Sequence, residues 1–455
     1  MEGRIDPYYY KYEFLQNEYI LNKIGYKKLA HYSKIVTKGE TPADKLNDYT
    51  NKDNGIPFLK VLNFNEYGFK LTNLDYITTN KHNQMRRSQL NGDEILYSMA
   101  GTIGIAVDYN YQFKDANINQ AIAKIVLNDI TLNKFIVYIL NTKLCRLQAK
   151  RFLTVSAQPN INFEQIKSIK IPLLNITTQK QVIDIMDNAY KVKEQKENKV
   201  KELIESIDDY LLDILNIKLP QEPKDDISNR IFRVEFDDVI SDRMDASSYS
   251  IYYKNIFKAF DNASIDFVKL RNITLNIKTG TTPNQKLKPF VNDTKAIPFL
   301  RNSDIQDGEI IKEKFKYVKN ELENNLIYSY KEDIIICIAG TIGISALNKF
   351  DRLAINQNVS SISIDKSKVN VEFITYWLNT KVAINLLKRL ASIATISYVN
   401  NPTLLNLQIP LPPLEIQDKI AKEITSIRVN AKILKDEALN ILANAKKEVE
   451  RIILK

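Results

Sequence analysis

Cysteine and histidine are nearly missing from this chain, which has 2 of each among 455 residues. Cys145 and Cys337 cannot build a disulfide framework, and no C-x-x-C or Cys/His cluster offers a zinc site. Both are expected as small core residues of a reduced, intracellular protein. With only His31 and His82, histidine-based acid/base catalysis is disfavoured. The 12 glycines form no G-x-G, and there is no G-x-x-x-x-G-K-[ST], G-x-S-x-G or H-E-x-x-H. No apolar run approaches the ~18 residues of a membrane span, and the opening "MEGRIDPYYY" lacks a signal-peptide core. The expectation is a soluble, cytoplasmic protein with no membrane partner.

What is present is basic charge and repetition. Lys+Arg 64 against Asp+Glu 54 gives a net +10 and a pI near 9.1, which suits a polyanionic partner such as nucleic acid. "VTKGETP" (Val36 to Pro42) returns as "IKTGTTP" (Ile277 to Pro283), and "IPFLK" (Ile56 to Lys60) as "IPFLR" (Ile297 to Arg301). "SMAGTIGI" from Ser98 returns as "CIAGTIGI" from Cys337, "INQ" at Ile118 returns at Ile355, and "FIVYILNTK" at Phe135 as "FITYWLNTK" at Phe373. "IPL" at Ile171 recurs at Ile409, and "RIDP" at Arg4 has a partner in "RMDA" at Arg243. The order is kept and the displacement stays between 237 and 241 residues. The chain is a tandem duplication of one large unit, far longer than a solenoid repeat.

Each copy has two textures. "DEILYSM" and "DIIICIA" read as buried strands ending at a Gly turn, and "NKFIVYILNTKLCRLQAKRF" and "EFITYWLNTKVAINLLKRLA" have helical spacing. A mixed α/β globule with a twisted sheet and a flanking helix is expected in each half. From Thr177 to Leu219 and from Leu414 onward there is no Gly or Pro. Val182, Met186, Ala189, Val200, Leu203, Ile207, Tyr210 and Ile214 form a heptad seam, interrupted by Lys193 and Lys196. Ile420, Ile424, Ile427, Ala431, Leu434, Ala438, Ile441 and Ala445 form a second, whose phase slips near Glu448. "TTQKQ" offers a capping box at Thr178 and Gln181, and Pro412 and Pro413 delimit the second helix. Each rod of about 40 residues spans roughly 60 Å. Two arrangements fit: the seams bury on each other as antiparallel coiled-coil helices about a pseudo-two-fold axis, or each helix packs along its own globule. "KLPQEPKDDISNR" at Lys218 to Arg230 reads as the connector between copies.

"GTIG" follows an apolar strand without an adjacent Lys, so it reads as a tight turn with positive φ at Gly101 and Gly340 rather than a nucleotide cradle. "DPYY" at Asp6 resembles the Asp-Pro-Pro-Tyr loop of amino-methyltransferases, but the second copy reads "RMDASSY" and the Gly-rich turn for S-adenosylmethionine is missing. "EFDDVISDRMD" (Glu235 to Asp245) is acidic without an E-x-K and reads as a solvated loop, not a nuclease centre. The expectation is a non-catalytic chain.

The combination of "GTIG", "INQ", a helix, then "IPLPPLEIQDKIA" leading into a heptad helix resembles the DNA-specificity (S) subunits of Type I restriction-modification systems, over essentially the whole chain. "IPLPPLEIQ" at Ile409 to Gln417 is the most specific element. The resemblance implies two target-recognition domains, each reading half of a split asymmetric site in double-stranded DNA. It also implies spacer helices that dock two methyltransferase (M) subunits, with restriction (R) subunits where a system has them. Catalysis would belong to those partners, with no cofactor on this chain and S-adenosylmethionine on the methyltransferase. The corresponding division is residues 1–175 and 242–412 for the recognition domains, 176–219 and 413–455 for the helices, and 220–241 for the linker. Family members often place an Arg just before the Gly-rich turn, where this chain has Met99 and Ile338. "NRIFRVEFDDVISD" precedes Arg243 while only three residues precede Arg4, so the first domain is expected to draw on the C-terminal helix or a partner to complete its edge.

Sequence-specific contacts are expected where the copies differ, about 61–91 against 302–331 and 106–116 against 345–353. Lys60, Arg301, Arg86 and Arg87 are candidates for phosphate or guanine contacts, and Asn63, Asn302 and Asp304 for adenine or cytosine edges. Asn119, Gln120, Asn356 and Gln357 are shared between copies and fit buried backbone satisfaction better than base readout. Lys38, Thr41, Thr279 and Thr282 in the first repeated phrase, with Thr102 and Thr341 in the Gly-rich turns, complete the candidate DNA contacts. A coiled-coil scaffold binding RNA or protein is an alternative, against which stands the lack of interleaved stacking aromatics. A portion of a split methyltransferase-endonuclease is another.

Overall fold

A computed structural model describes residues 7–43, 47–71, 73–153, 160–224, 227–234, 249–391 and 397–454. The "RMDA" repeat, the acidic stretch from Glu235 to Asp245 and all but the proline of "RIDP" lie outside the described residues. The chain divides into two compact units, Met1–Asn198 with Leu434–Lys455, and Lys199–Ile433.

The first unit starts from a strand buried along its whole length, Glu94–Ser98. It lies inside an antiparallel sheet ordered Ala106–Asp108, Glu94–Ser98, Ile122–Leu127, Ser33–Lys38. Alternate side chains leave a strand on opposite faces, and both faces here are covered. Ile95 and Tyr97 join a core with Phe135, Ile136 and Ile139 of the helix Asn133–Leu140. Leu96 joins a second core with Leu59, Phe64 and Ile118. That second core is floored by a mixed sheet ordered Tyr49–Thr50, Asp75–Ile77, Ile56–Leu59, Ala116–Ile118, Gln89–Leu90. Its one parallel pair sets Phe58 against Asn117 and Leu59 against Ile118.

The second unit repeats this plan. Ile334–Cys337 lies in the sheet Thr274–Thr279, Val359–Ile364, Ile334–Cys337, Ser345–Leu347. Ile334 and Ile336 face the helical core, while Ile335 and Cys337 face the sheet-to-sheet core. The companion sheet again has one parallel pair, Phe299 against Ala354 and Leu300 against Ile355. Each unit is therefore helix, sheet and second sheet. The expected single sheet falls short because the companion strands have only 2–4 residues, too few to show a period. The expected flanking helix is two, Asn133–Leu140 and Lys143–Arg151, broken at Asn141 and Thr142.

The long helices are Ile176–Ile214 and Leu414–Ile453. The first does not use the capping box expected at Thr178 and Gln181. Asn175 caps it instead, its Oδ1 accepting from the Thr178 N–H at 2.8 Å, because Asn is a better N-cap and Ile176 and Thr177 continue the turn. The helix also stops short of Leu219. Asn216 takes φ 51° and the Ile217 N–H returns to the Leu212 carbonyl at 2.9 Å, a Schellman closure with Asn in the usual place of Gly. Pro413 does open the second helix, its carbonyl accepting from the Ile416 and Gln417 N–H groups.

In the first unit Val182, Met186 and Ala189 share one core with Leu442, Ala445, Val449 and Ile453 and with the globule. Lys196 meets Glu437 at 2.7 Å, while Tyr190 and Lys446 both reach Glu66, so the two helical segments run antiparallel. In the second unit Ile207, Leu211 and Leu215 share a core with Ile420, Ala421 and Ile424. The two arrangements expected from sequence are thus combined: the seams meet each other and the globular cores. The second seam passes to Leu442 rather than slipping at Glu448, and the first turns toward Leu211 and Leu215 rather than Tyr210 and Ile214. Residues of the C-terminal helix do complete the first unit's core. Lys193, 8% exposed, sits on the seam with its ammonium on Glu197 at 2.6 Å, a polar interruption of the kind that fixes register. Among the described residues no helix is long and apolar enough to cross a membrane.

The signature "IPLPPLEIQ" works as a joint. Gln408–Pro410 pairs with Phe267–Lys269, as Lys170–Pro172 pairs with Tyr26–Lys28. Gln417 is fully buried, donating to the Pro412 carbonyl at 2.7 Å and accepting from the Asn370 N–H at 2.9 Å. Its counterpart Gln179 is half-buried and donates to the Leu174 carbonyl at 2.9 Å. Gln417→Leu should cost about 1–3 kcal/mol by stranding the buried Pro412 carbonyl and the half-buried Asn370 N–H, and Gln179→Leu clearly less. Denaturant unfolding of the two variants measures the difference, and equal losses would contradict this role.

Candidate nucleic-acid interface

The repeated phrases converge on one junction in each unit. Gly39 passes so close to the "INQ" segment that a Cβ there would lie 1.9 Å from the Ile118 carbonyl oxygen. Gly280 repeats this at 2.1 Å from the Ile355 oxygen. Neither has positive φ, so glycine is required by close approach and not by conformation. The Gly39 N–H donates to Ile122 O at 3.2 Å and that of Gly280 to Val359 O at 3.0 Å. "IPFLK" and "IPFLR" close the other side, Leu59 O accepting from Asn119 N and Leu300 O from Asn356 N. The Gly-rich turn joins through Met99 N to Ala121 O and Ile338 N to Asn358 O. As expected, Gly101 (φ 71°) and Gly340 (φ 75°) are left-handed. Gly104 and Gly343 are too, and a Cβ on each would press at 3.2 Å on Ala149 of the helix Lys143–Arg151 and on Ile384 of the helix Lys381–Leu390. The phrase is a turn clamped on a helix.

Around the first junction Lys38, Thr41, Arg86, Arg87, Thr102 and Gln120 are exposed, and Lys60 and Asn119 are half-buried. Arg87 reaches Glu40 at 2.9 Å, which draws the Arg86–Ser88 turn beside Thr41. Lys60 pairs with Asp75. Around the second, Thr282, Thr341 and Gln357 are exposed, and Thr279, Arg301 and Asn302 half-buried. Thr279 meets Ser360 at 3.0 Å and Asn401 at 3.1 Å.

Two of the three expected base readers, Asn63 and Asp304, are buried. Asn63 is fully enclosed and its Oδ1 accepts from the Lys60 N–H at 2.8 Å. Asp304 is equally enclosed, accepting from the Arg301 N–H at 2.9 Å and holding its guanidinium at 2.8 and 3.1 Å. Both close a capping box on a single 3-10 turn, so a short acceptor is needed there for backbone reasons and the base-edge assignment is corrected. Arg301 is correspondingly committed to Asp304 rather than free. Asn356 is 7% exposed. Asn119 accepts from the Ala121 N–H at 3.2 Å, the backbone-satisfying role expected of it. Met99 and Ile338, just before the Gly-rich turns, are buried.

Sequence reasoning did not single out the tyrosines of the strand Tyr328–Tyr330. Lys278, next to Thr279, lies 5.8 Å from the Tyr330 ring, and the Arg352 guanidinium 5.0 Å from that of Tyr328. The Y-S-Y alternation beside cations was the available signal. Beneath the first junction Lys124 is buried and donates to Gln89 O at 2.8 Å, and burial lowers its pKa against the opposing pull of Glu94. Burial pushes the Cys145 and Cys337 thiols up to about 12 and about 11, away from nucleophilic use. His82 is tied to Asn117 and His31 to Lys27. Among the described residues no group of three or more His, Cys, Asp or Glu is placed to hold a metal.

Two copies of one α/β module, each presenting the same glycine-built junction beside loops of different sequence, define a duplicated recognition protein. A family model described as the Type I restriction modification DNA specificity domain matches residues 25–206 and 264–442, and the chain belongs to that family. It is 24% identical over 422 residues to the putative type I restriction enzyme MjaX specificity subunit of Methanocaldococcus jannaschii, covering 89% of this chain and 88% of that one. It is 25% identical over 310 residues to the MjaVIII specificity subunit of the same organism, 65% of this chain and 64% of that one. Among solved structures, the S subunit from M. genitalium covers 94% of this chain and 95% of its own at 13% identity and TM-score 0.42. A chain from a study of type I R-M complex assembly covers 94% and 96% at 12% identity and TM-score 0.48.

Gly39→Ala and Gly280→Ala should each cost about 1–3 kcal/mol, because the clash is with backbone and not with a movable side chain. Thr102→Ala and Thr341→Ala, exposed on the same junctions, should stay within about 0.5 kcal/mol. Thermal unfolding compares the four, and a tolerated Gly39→Ala would refute the close-approach requirement.

Proposed function

We propose that this chain is the sequence-reading subunit of a Type I restriction-modification complex and that each unit reads one half of a bipartite, asymmetric site in double-stranded DNA. The observation that carries this reading is the repeated junction itself: the same glycine-built backbone frame, differing loops, in a chain whose two halves both match the specificity-domain family. The exposed Lys38, Thr41, Arg86, Arg87, Thr102 and Gln120 of one unit are the proposed contacts to DNA. In the other unit they are Thr282, Thr341 and Gln357, with Thr279 and Asn302 at their edge. Lys60, Arg301, Asn119 and Asn356 support the frame. The long helices dock two methyltransferase subunits, which bind S-adenosylmethionine and carry the chemistry, and restriction subunits join where the system has them. The working place is the cytoplasm.

Exchanging residues 25–175 for the equivalent segment of another specificity subunit should change one half of the methylated motif and leave the other intact. Methylation mapping reads this directly, and simultaneous change of both halves would defeat the two-reader account. Each long helix carries residues of both units, so the helices are also proposed to set the gap between half-sites. Deleting one heptad from each, Lys193–Lys199 and a matched seven within Asn430–Ala443, removes about 10 Å of rise. The preferred gap should shift by on the order of three base pairs. A binding selection over all gap lengths measures it, and an unmoved optimum at full affinity would show that the helices are not the ruler.

A further inference from the structure

Each recognition module carries a short hairpin that is fastened to the long helix of its own unit, and the fastening is built twice from different residues. In the first unit the hairpin pairs Phe64–Asn65 with Gly68–Phe69. The Tyr190 hydroxyl on the first long helix donates to the Glu66 carbonyl in its turn at 2.6 Å. Tyr190 stacks on Tyr138 of the globule, with centroids 5.7 Å apart and planes 18° apart. One helical turn earlier, Asp187 accepts from the Tyr138 hydroxyl.

The second unit places other side chains in the same positions. Its hairpin pairs Ile305–Gln306 with Glu309–Ile310. Arg428 on the second long helix donates to the Asp307 carbonyl in the turn. Its guanidinium lies 5.5 Å from the ring of Tyr376, the counterpart of Tyr138. One turn earlier, Thr425 meets the Tyr376 hydroxyl at 2.8 Å. A Cβ on Gly308 would stand 2.6 Å from the guanidinium, so that glycine admits the arginine.

Only the tyrosine is common to both. Tyr190 and Arg428 share neither charge nor shape, yet both donate to a hairpin-turn carbonyl while lying on that tyrosine. Preservation of the geometry across unlike side chains argues that the connection itself matters, since filling space alone would not direct both donors to the same backbone oxygen. In the first unit the turn is held further, the Glu66 carboxylate meeting Lys446 of the other long helix at 3.1 Å. Burial opposes ionisation of Glu66, but Lys446 and Arg146 hold its carboxyl below the usual range.

Resting on the reading of the chain as a two-half-site DNA reader, we infer that Tyr190 and Arg428 are positioning residues that fix the angle of each recognition module on its helix and thereby sharpen the choice of gap between half-sites. They act through the hairpins and not by touching bases.

The test uses the full chain with Tyr190→Phe, Arg428→Met, their combination, and Arg428→Lys as a conservative rescue. Hydrogen exchange at the two hairpins is read first, without DNA. Each single variant should speed exchange in its own hairpin about five-fold, the factor one hydrogen bond of typical net strength is worth, with the buried sheet strands unchanged. Arg428→Lys should restore part of the protection. Unaltered hairpin exchange overturns the inference whatever the DNA result. Selection on random duplex DNA is read second. Wild type should enrich a motif with one gap length, and the double variant should keep both half-motifs while accepting gaps one base pair longer and shorter. Loosened hairpins with an unbroadened gap profile overturn the specificity role alone. A wild-type chain that enriches no gapped motif overturns the two-half-site reading and the gap role with it, while the exchange result still decides the fastening.

Discussion

Everything at the candidate interface depends on a backbone passing within contact distance of another backbone's carbonyl groups at Gly39 and again at Gly280. That approach lets the end of an edge strand bond across to the "INQ" segment, which in turn bonds to the end of "IPFLK" or "IPFLR". Three chain segments far apart in sequence are locked without any side chain between them. Side chains are thereby left free to point outward, and their identity can change while the frame stays. A junction made of side-chain packing would tie its surface chemistry to its stability.

This division explains what the sequence revealed and what it hid. The duplication, the buried strands Glu94–Ser98 and Ile334–Cys337 and the long helices were legible because periodicity and repetition record burial directly. The positive φ of Gly101 and Gly340 followed from a Gly-ended apolar run. The companion sheet was not legible, since strands such as Gln89–Leu90 and Phe290–Val291 are too short to alternate. Asn63 and Asp304 misled for a chemical reason: an Asx side chain suited to a base edge is equally suited to an N–H three residues back. Which use wins depends on a 3-10 turn that no local pattern announced. Lys193 and Lys196 looked like interruptions of a heptad, and their partners Glu197 and Glu437 show how a seam accommodates ammonium groups by letting the stems lie flat and the heads escape.

The two units also differ where their plans agree. The carboxylate of Glu94 caps Asn91 and Gly92 in one, and that of Asp333 caps Tyr330 while binding Ser361 and Ser363 in the other. A buried lysine, Lys124, stands where the second copy has Ser361. After duplication, each core has therefore found its own way to satisfy a buried acid at the same strand, with the topology unchanged.

The allocation of chain to units sets an order of assembly. Lys199–Ile433 is continuous and becomes complete while the rest of the polypeptide is still being made. The unit that begins first in the chain is finished last, because Leu442, Ala445, Val449 and Ile453 belong to its core. Until those residues of the second long helix are made, the first-synthesised globule has an apolar face left to cover. A message cut short between Ile433 and Leu442 would leave the second unit's share of chain whole and the first unit's core unclosed, a polarity of damage opposite to the one that N-to-C synthesis ordinarily imposes.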